Sequence, residues 1–193
     1  MSPLRLLGIS GSLRRDSYNT ALVRAAIGLL PDGATLTLQS LRDIPLYDGD
    51  VEAQGLPAGV VTLREAIRGA DGLFISTPEY NNGMPGVLKN AIDWVSRGKD
   101  QPLAGKPLAL VSASNGRFGG ARSQLAWMPV LAVLGTRWMH RPQFCLADAD
   151  KAFAPDGTLA DEKTRELLRH LLAGFAEWCR PQQVAGTSGK LAG

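Results

Sequence analysis

Leu4-Arg-Leu-Leu-Gly-Ile-Ser-Gly-Ser-Leu-Arg-Arg-Asp-Ser-Tyr-Asn19 decides how the rest of the chain is read. Residues 4–9 are apolar almost throughout, the pattern of a parallel strand covered on both faces. A loop of Gly, Ser and Arg follows. Then Ala21, Leu22, Ala25, Ala26, Leu29 and Leu30 recur at helical spacing until Pro31-Asp-Gly33 closes the helix. Strand, polar loop and helix make one βα unit.

The unit repeats outward from there. Residues 34–40 alternate apolar with polar as a second strand, and Val60, Leu63, Ala66 and Ile67 form a second helical stripe. Between them, residues 41–59 carry Pro45, Pro57 and several carboxylates, and read as a long surface connection. Gly72-Leu-Phe-Ile-Ser-Thr77 is the third strand, and the next helix starts at Pro85 with Val87, Leu88, Ala91, Ile92 and Val95 on its apolar face. Pro107-Leu-Ala-Leu-Val-Ser112 is the fourth strand, with a helix over 120–134. A last strand falls near 136–140, extending after Pro142, and the final helix spans 162–179 with Leu167, Leu168, Leu171, Leu172 and Phe175 as its core stripe. Five βα units in series predict an α/β fold with a parallel sheet and helices on both faces. We expect a single domain over residues 1–180 and a frayed tail over 181–193.

Composition narrows the function classes. The 193 residues are 45% apolar and 20% charged, which excludes a mostly disordered or collagenous chain. A net charge of +3 is too small and scattered for a nucleic-acid protein. No apolar run approaches the roughly 20 residues that span a bilayer, and the N-terminus lacks a signal-peptide pattern. A cytoplasmic protein with no membrane partner is expected. Cys145 and Cys179 match no metal or redox spacing and are read as buried free thiols, and two histidines exclude a histidine-rich metal centre.

In such sheets, ligands bind beyond the carboxyl ends of the strands. After the first strand, Ser10, Ser12 and Ser17, two arginines and Asn19 precede a helix N-terminus, where orphan N–H groups and the helix dipole attract an anion. Neither the dinucleotide fingerprint nor the P-loop lysine is present. Hydroxyls without that lysine suit a monophosphate, which points toward FMN and leaves a nucleotide or sugar phosphate open. After the third strand, Tyr80 offers a flat face while Asn81 and Asn82 offer edge hydrogen bonds, and Pro78 and Pro85 stiffen the loop. After the fourth, Ser114 and Asn115 sit in a glycine-rich loop, and Arg117 and Arg122 read individually as surface charges.

These residues carry a resemblance. Gly11-Ser-Leu-Arg-Arg-Asp-Ser-Tyr-Asn19, Thr77-Pro-Glu-Tyr-Asn81, Pro85-Gly-Val-Leu-Lys-Asn-Ala-Ile-Asp-Trp94 and the Gly116-x-x-Gly-Gly120 element resemble the NADPH-dependent FMN reductase family, the flavodoxin-like group that includes chromate and quinone reductases. The resemblance implies a five-stranded sheet in 2-1-3-4-5 order, non-covalent FMN, NAD(P)H as co-substrate, and a homodimer or homotetramer. It implies that Ser12, Arg14, Ser17, Tyr18 and Asn19 hold the phosphate. Pro78, Glu79, Tyr80, Asn81, Asn82 and Ser114 would line the isoalloxazine ring, and Ser10, Leu13 and Gly116 complete the expected set. Asn82 departs from relatives that carry an aromatic residue there. The expected activity is transfer of hydride from NAD(P)H through FMN to quinones, chromate, free flavin or similar acceptors. No catalytic acid, base, nucleophile or metal ligand is expected, because the flavin carries the chemistry. The rival readings are a flavodoxin-like electron carrier with little turnover, which the basic sequence pI of about 9.1 opposes, and a phosphate-binding regulatory domain. The apolar excess of 125–134 suggests a subunit interface, whereas Trp94 and Trp127 read as packing residues and His170 as solvated.

Overall fold

Alternate residues of a buried parallel strand face opposite cores, and this chain fills both. A computed structural model describes residues 3–180. Its strands are β1 (Leu4–Ser10), β2 (Ala34–Gln39), β3 (Gly72–Ser76), β4 (Pro107–Ala113), β5 (Arg137–Trp138) and β6 (Phe144–Leu146), all paired in parallel. The order is β2-β1-β3-β4-β5, with β6 also on β4. This is the flavodoxin-like order, and its switch point lies between β1 and β3. The helices are α1 (Tyr18–Ile27), α2 (Gly49–Gln54), α3 (Ala58–Gly69), α4 (Gly86–Val95), α5 (Ala121–Val133), α6 (Ala149–Ala152) and α7 (Glu162–Cys179).

On one face, Leu6 and Phe74 pack with Leu22 and Val23 of α1 and with Leu168, Leu172 and Phe175 of α7. On the other, Leu7, Ile75 and Leu110 pack with Leu63 and Ile67 of α3, with Leu88 and Ile92 of α4, and with Trp127 of α5. Burying each such large side chain stabilises the fold by about 1.5–3 kcal/mol. Trp94 and Trp127 are both core residues, as expected.

Several expectations need correction. The 41–59 connection lies largely at the surface, as expected, but it contains α2 and the start of α3 and is pinned to α4. Pro45 O accepts from Asn90 Nδ2 (2.7 Å) and Trp94 Nε1 (2.9 Å), contacts that no local pattern announces. The fifth strand is divided. β5 pairs with the start of β4 and β6 with its end, so one edge position is filled by two short pieces. Leu167 is 54% exposed, because it sits just off the stripe formed by Leu168, Leu171, Leu172 and Phe175. Cys179 is buried as expected, but Cys145 is only half-buried. Residues 181–193, expected to form a frayed tail, lie outside the described residues.

Candidate functional site

The helix after the first loop begins earlier than the apolar stripe suggests, and this places donors at the strand ends. Ser17 is the N-cap of α1, its hydroxyl accepting from the Thr20 N–H at 3.4 Å. Tyr18 and Asn19 therefore occupy the first turn, and their N–H groups find no acceptor among the described residues. A helix start with free N–H groups attracts an anion. Ser12 Oγ accepts from the Arg14 N–H and lies 3.3 Å from Tyr80 Oη, so the first and third loops touch. Arg14 donates to Asp16 O (2.6 Å) and its guanidinium lies over the Tyr18 ring, 5.6 Å from the centroid. Leu13 is partly exposed, and its carbonyl accepts from Arg42 Nη2 at 2.6 Å. Ser10 turns inward, accepting from Thr20 Oγ1 (2.8 Å) and the Ser12 N–H (3.3 Å).

Asn19 has a different role for its side chain than for its backbone. The amide donates to Ala113 O (2.9 Å), while Oδ1 accepts from Ser76 Oγ (2.9 Å) and the Ala113 N–H (3.1 Å). It is 4% exposed and ties α1 to the ends of β3 and β4. Its backbone N–H, by contrast, has no acceptor among the described residues.

The third loop is a tight hairpin. Tyr80 and Gly83 exchange backbone hydrogen bonds, and the two residues between them, Asn81 and Asn82, have φ of 50° and 63°. Asparagine tolerates that left-handed conformation better than most side chains. The turn leaves Tyr80 51% exposed, while Pro78 is buried. Glu79 Oε2 accepts from the Arg122 N–H (3.0 Å) at the start of α5, where the helix dipole favours a carboxylate. The Arg122 guanidinium donates to Asn82 Oδ1 and lies 3.9 Å from Glu79 Oε1. Arg122 is thus a clasp on the hairpin rather than the free surface charge expected from sequence.

Behind this loop, Thr77 Oγ1 lies 2.8 Å from Ser123 Oγ and accepts from Trp127 Nε1 at 3.0 Å. Ser112 Oγ donates to Gly119 O (2.6 Å) and accepts from Gln124 Nε2 (2.8 Å). Sequence reasoning passed over these residues. Their one visible signal is polar side chains, Ser76, Thr77 and Ser112, at the ends of otherwise apolar strands. Gly120 makes the close approach possible. Its φ is 88°, and a Cβ there would lie 2.6 Å from Ser112 Cβ.

In the fourth loop, Ser114 accepts through Oγ from the Gly116 N–H (3.1 Å), and its own N–H donates to Leu146 O (2.9 Å). Asn115 Oδ1 caps Asp150 N–H of α6 at 3.2 Å, which turns it from the crevice. Arg117 is exposed beside Phe118. Burial raises the Cys145 thiol and pushes Cys179 up to about 12, so neither is a ready thiolate nucleophile. Among the described residues, no group of three or more His, Cys, Asp or Glu side chains is placed to hold a metal ion.

The arrangement fits a flavin monophosphate. Free N–H groups, hydroxyls and Arg14 form a phosphate-sized donor set, Tyr80 supplies an exposed flat face beside it, and the Asn81 and Ser114 amide and hydroxyl groups lie at the adjoining strand ends. Residues 10–19 include no lysine, which a P-loop would require.

Comparison with known proteins agrees. The family model described as NADPH-dependent FMN reductase matches residues 4–151. An NAD(P)H-dependent FMN reductase of Pseudomonas aeruginosa is 48% identical over 177 residues, covering 92% of this chain and 96% of that one. A quinone reductase of Escherichia coli is 42% identical over 184 residues, covering 94% and 98%. Among solved structures, FerB, a flavoenzyme NAD(P)H:(acceptor) oxidoreductase from Paracoccus denitrificans, superposes with a TM-score of 0.83 at 34% identity, covering 91% of this chain and 97% of that one. With its sheet order, its strand-end loops and these relatives in agreement, the chain belongs to the NADPH-dependent FMN reductase family.

Proposed function

We propose that this chain is an FMN-dependent oxidoreductase that passes reducing equivalents from NAD(P)H to small acceptors such as quinones, chromate or free flavin. One observation carries the reading: three loops from β1, β3 and β4 converge on the switch point with unpaired donors on one side and an exposed aromatic face on the other. When bound, FMN supplies the hydride-accepting and electron-donating chemistry. The protein's part is to bind, orient and control access. The Tyr18 and Asn19 N–H groups, Ser12, Ser17 and Arg14 hold the phosphate. Pro78, Tyr80 and the Asn81-Asn82 turn would line the flavin ring. Glu79 and Arg122 keep that turn from opening, and Leu13, Ser114 and Gly116 border the same crevice.

We further propose that residues 3–180 act as one domain, that the protein works in the cytoplasm, and that it is a homo-oligomer. No helix among the described residues is long and apolar enough to cross a membrane. Leu125, Met128 and Val133 are exposed on α5 (57%, 41% and 83%), which supports a subunit contact there. Light scattering on Val133→Asp and the parent protein checks this, a shift to monomer being expected.

The deciding experiment is the visible spectrum of the purified protein before and after NADPH is added without oxygen. Flavin absorption that bleaches supports the reading. Flavin absorption that persists transfers it to an electron carrier, and a protein that takes up no FMN overturns it.

A further inference from the structure

The loop after β4 carries two exposed side chains, Arg117 and Phe118, that the flavin reading does not use. The Gly119 N–H donates to Gly116 O at 3.0 Å, closing a turn with these two residues at its central positions. Phe118 O then accepts from the Ala121 N–H at 3.0 Å as α5 begins. Gly119 and Gly120 have φ of 57° and 88°, and a Cβ on Gly119 would lie 2.6 Å from the Cys145 carbonyl carbon of β6. The two glycines thus press the base of the turn onto β6 and β4 and hold its tip in place. Phe118 is 51% exposed there and belongs to neither hydrophobic core.

A single exposed phenylalanine is ordinary on a protein surface. This one has two guanidinium groups over its ring, Arg122 at 4.6 Å and Arg117 at 5.9 Å from the centroid. Arg122 also donates to Asn82 Oδ1, so one guanidinium touches both Phe118 and the hairpin that bears Tyr80. Two exposed aromatic residues are thereby held on adjoining loops. The two arginines differ in free charge. Arg122 has Glu79 Oε1 at 3.9 Å. Arg117 has no carboxylate within 4.0 Å among the described residues. An exposed ring with an unneutralised guanidinium beside it suits a planar aromatic molecule that bears a negative group. The rings stack and the guanidinium takes the anion.

We propose that Arg117 and Phe118 form an acceptor subsite that favours planar aromatic acceptors carrying a carboxylate or sulfonate over their neutral counterparts. The inference rests on the oxidoreductase role proposed above and narrows its acceptor class. Neither residue belongs to the set that holds the flavin. Because the turn is already locked by its glycines, little ordering opposes binding.

Two measurements test it. In the first, 2-naphthoate and its neutral isostere 2-naphthamide, neither of them a quinone, are titrated calorimetrically into the FMN-loaded protein. The naphthoate should bind at least about fivefold more tightly, the gain expected of one exposed charge pair. Added salt should shrink the gap. Arg117→Gln should erase it, Arg117→Lys should keep part of it, and Phe118→Leu should weaken both ligands. Equal binding of the two ligands by the parent protein overturns the proposal. So does a preference that survives in Arg117→Gln, which would assign it to the arginines of the first loop. A parallel loss of FMN affinity in that variant also overturns it, by making Arg117 a flavin ligand. In the second measurement, kcat/KM for 1,2-naphthoquinone-4-sulfonate is divided by that for 1,2-naphthoquinone. The ratio should fall at least about fivefold in Arg117→Gln, through KM. An unchanged ratio overturns the proposal. Absence of turnover in the parent protein would sink the oxidoreductase reading instead, and the titrations would still decide the subsite.

Discussion

Two polar regions lie within a few residues of each other at the carboxyl end of this sheet, and they are built on opposite principles. The first is the buried set formed by Asn19, Ser76, Thr77, Ser112, Ser123 and Gln124, whose side chains bond to each other and to backbone groups of β4 and its loop. The second is the outward set of Tyr18 and Asn19 N–H groups, Arg14, Arg15, Arg24 and Arg42, whose donors lack internal acceptors or keep most of their fork free. Apart from Gln124 Oε1, which has no partner among the described residues, the buried groups are satisfied internally, and such groups hold the scaffold. An exposed donor left without a partner awaits a ligand. Mutations should therefore separate into those that cost stability and those that cost affinity.

Asn19→Ala should have the largest effect. It removes three hydrogen bonds and orphans both the N–H and the carbonyl of Ala113, for a loss of about 3–5 kcal/mol. Chemical denaturation of the flavin-free protein measures it, and a loss under about 1 kcal/mol would show that the buried set is not the scaffold.

Next comes Gly120→Ala. Positive φ and a Cβ 2.6 Å from Ser112 force the fourth loop to move, at about 2–4 kcal/mol. FMN affinity should fall in parallel, since the loop borders the crevice. A variant as stable as its parent, with FMN affinity unchanged, would break the link between scaffold and site.

Arg14→Ala tests the outward set. Unfolding free energy should change by less than about 0.5 kcal/mol, while FMN affinity, followed by fluorescence quenching, drops about tenfold. The reverse result would place Arg14 with the scaffold.

The smallest effect lies away from both sets. Asp161 caps α7, accepting from the Thr164 N–H (2.8 Å) and hydroxyl (2.5 Å), and these bonds lower its carboxyl below the ordinary 3.8. A lowered folded-state value means that the stabilisation is complete above the ordinary value and disappears as pH falls through the lowered one. Asp161→Asn should therefore differ from its parent near neutral pH and converge with it in strong acid, in acid-unfolding curves, with FMN affinity unchanged at neutral pH. A difference that persists in strong acid would assign the cap to geometry rather than charge.

Much of this could be read directly from the sequence. The buried strands announce themselves as apolar runs and the helices as stripes, and the loops that matter stand out because Ser, Gly, Asn and Pro are unusual at strand ends. Residues 162–179 are helical to the residue expected, because Asp161 supplies a local cap and the stripe is strong. The divided fifth strand was harder, since two short pieces separated by Pro142 carry too few residues for a pattern. Leu167 misled because an apolar residue beside a stripe looks like part of it.

By itself the sequence determined the βα order, the three strand-end loops and the family, all of which depend on residues close together along the chain. Tertiary structure alone decided which polar residues face inward. The Asn19 amide meets Ala113, 94 positions away, and Glu79 meets Arg122, 43 away. It also gathered Arg14, Arg15, Arg24 and Arg42 around one hollow, though they lie on a loop, a helix and the segment after β2. The physical reason is that periodicity and turn chemistry act over a few residues, whereas hydrogen-bond partners and electrostatic neighbours are set by distance in space.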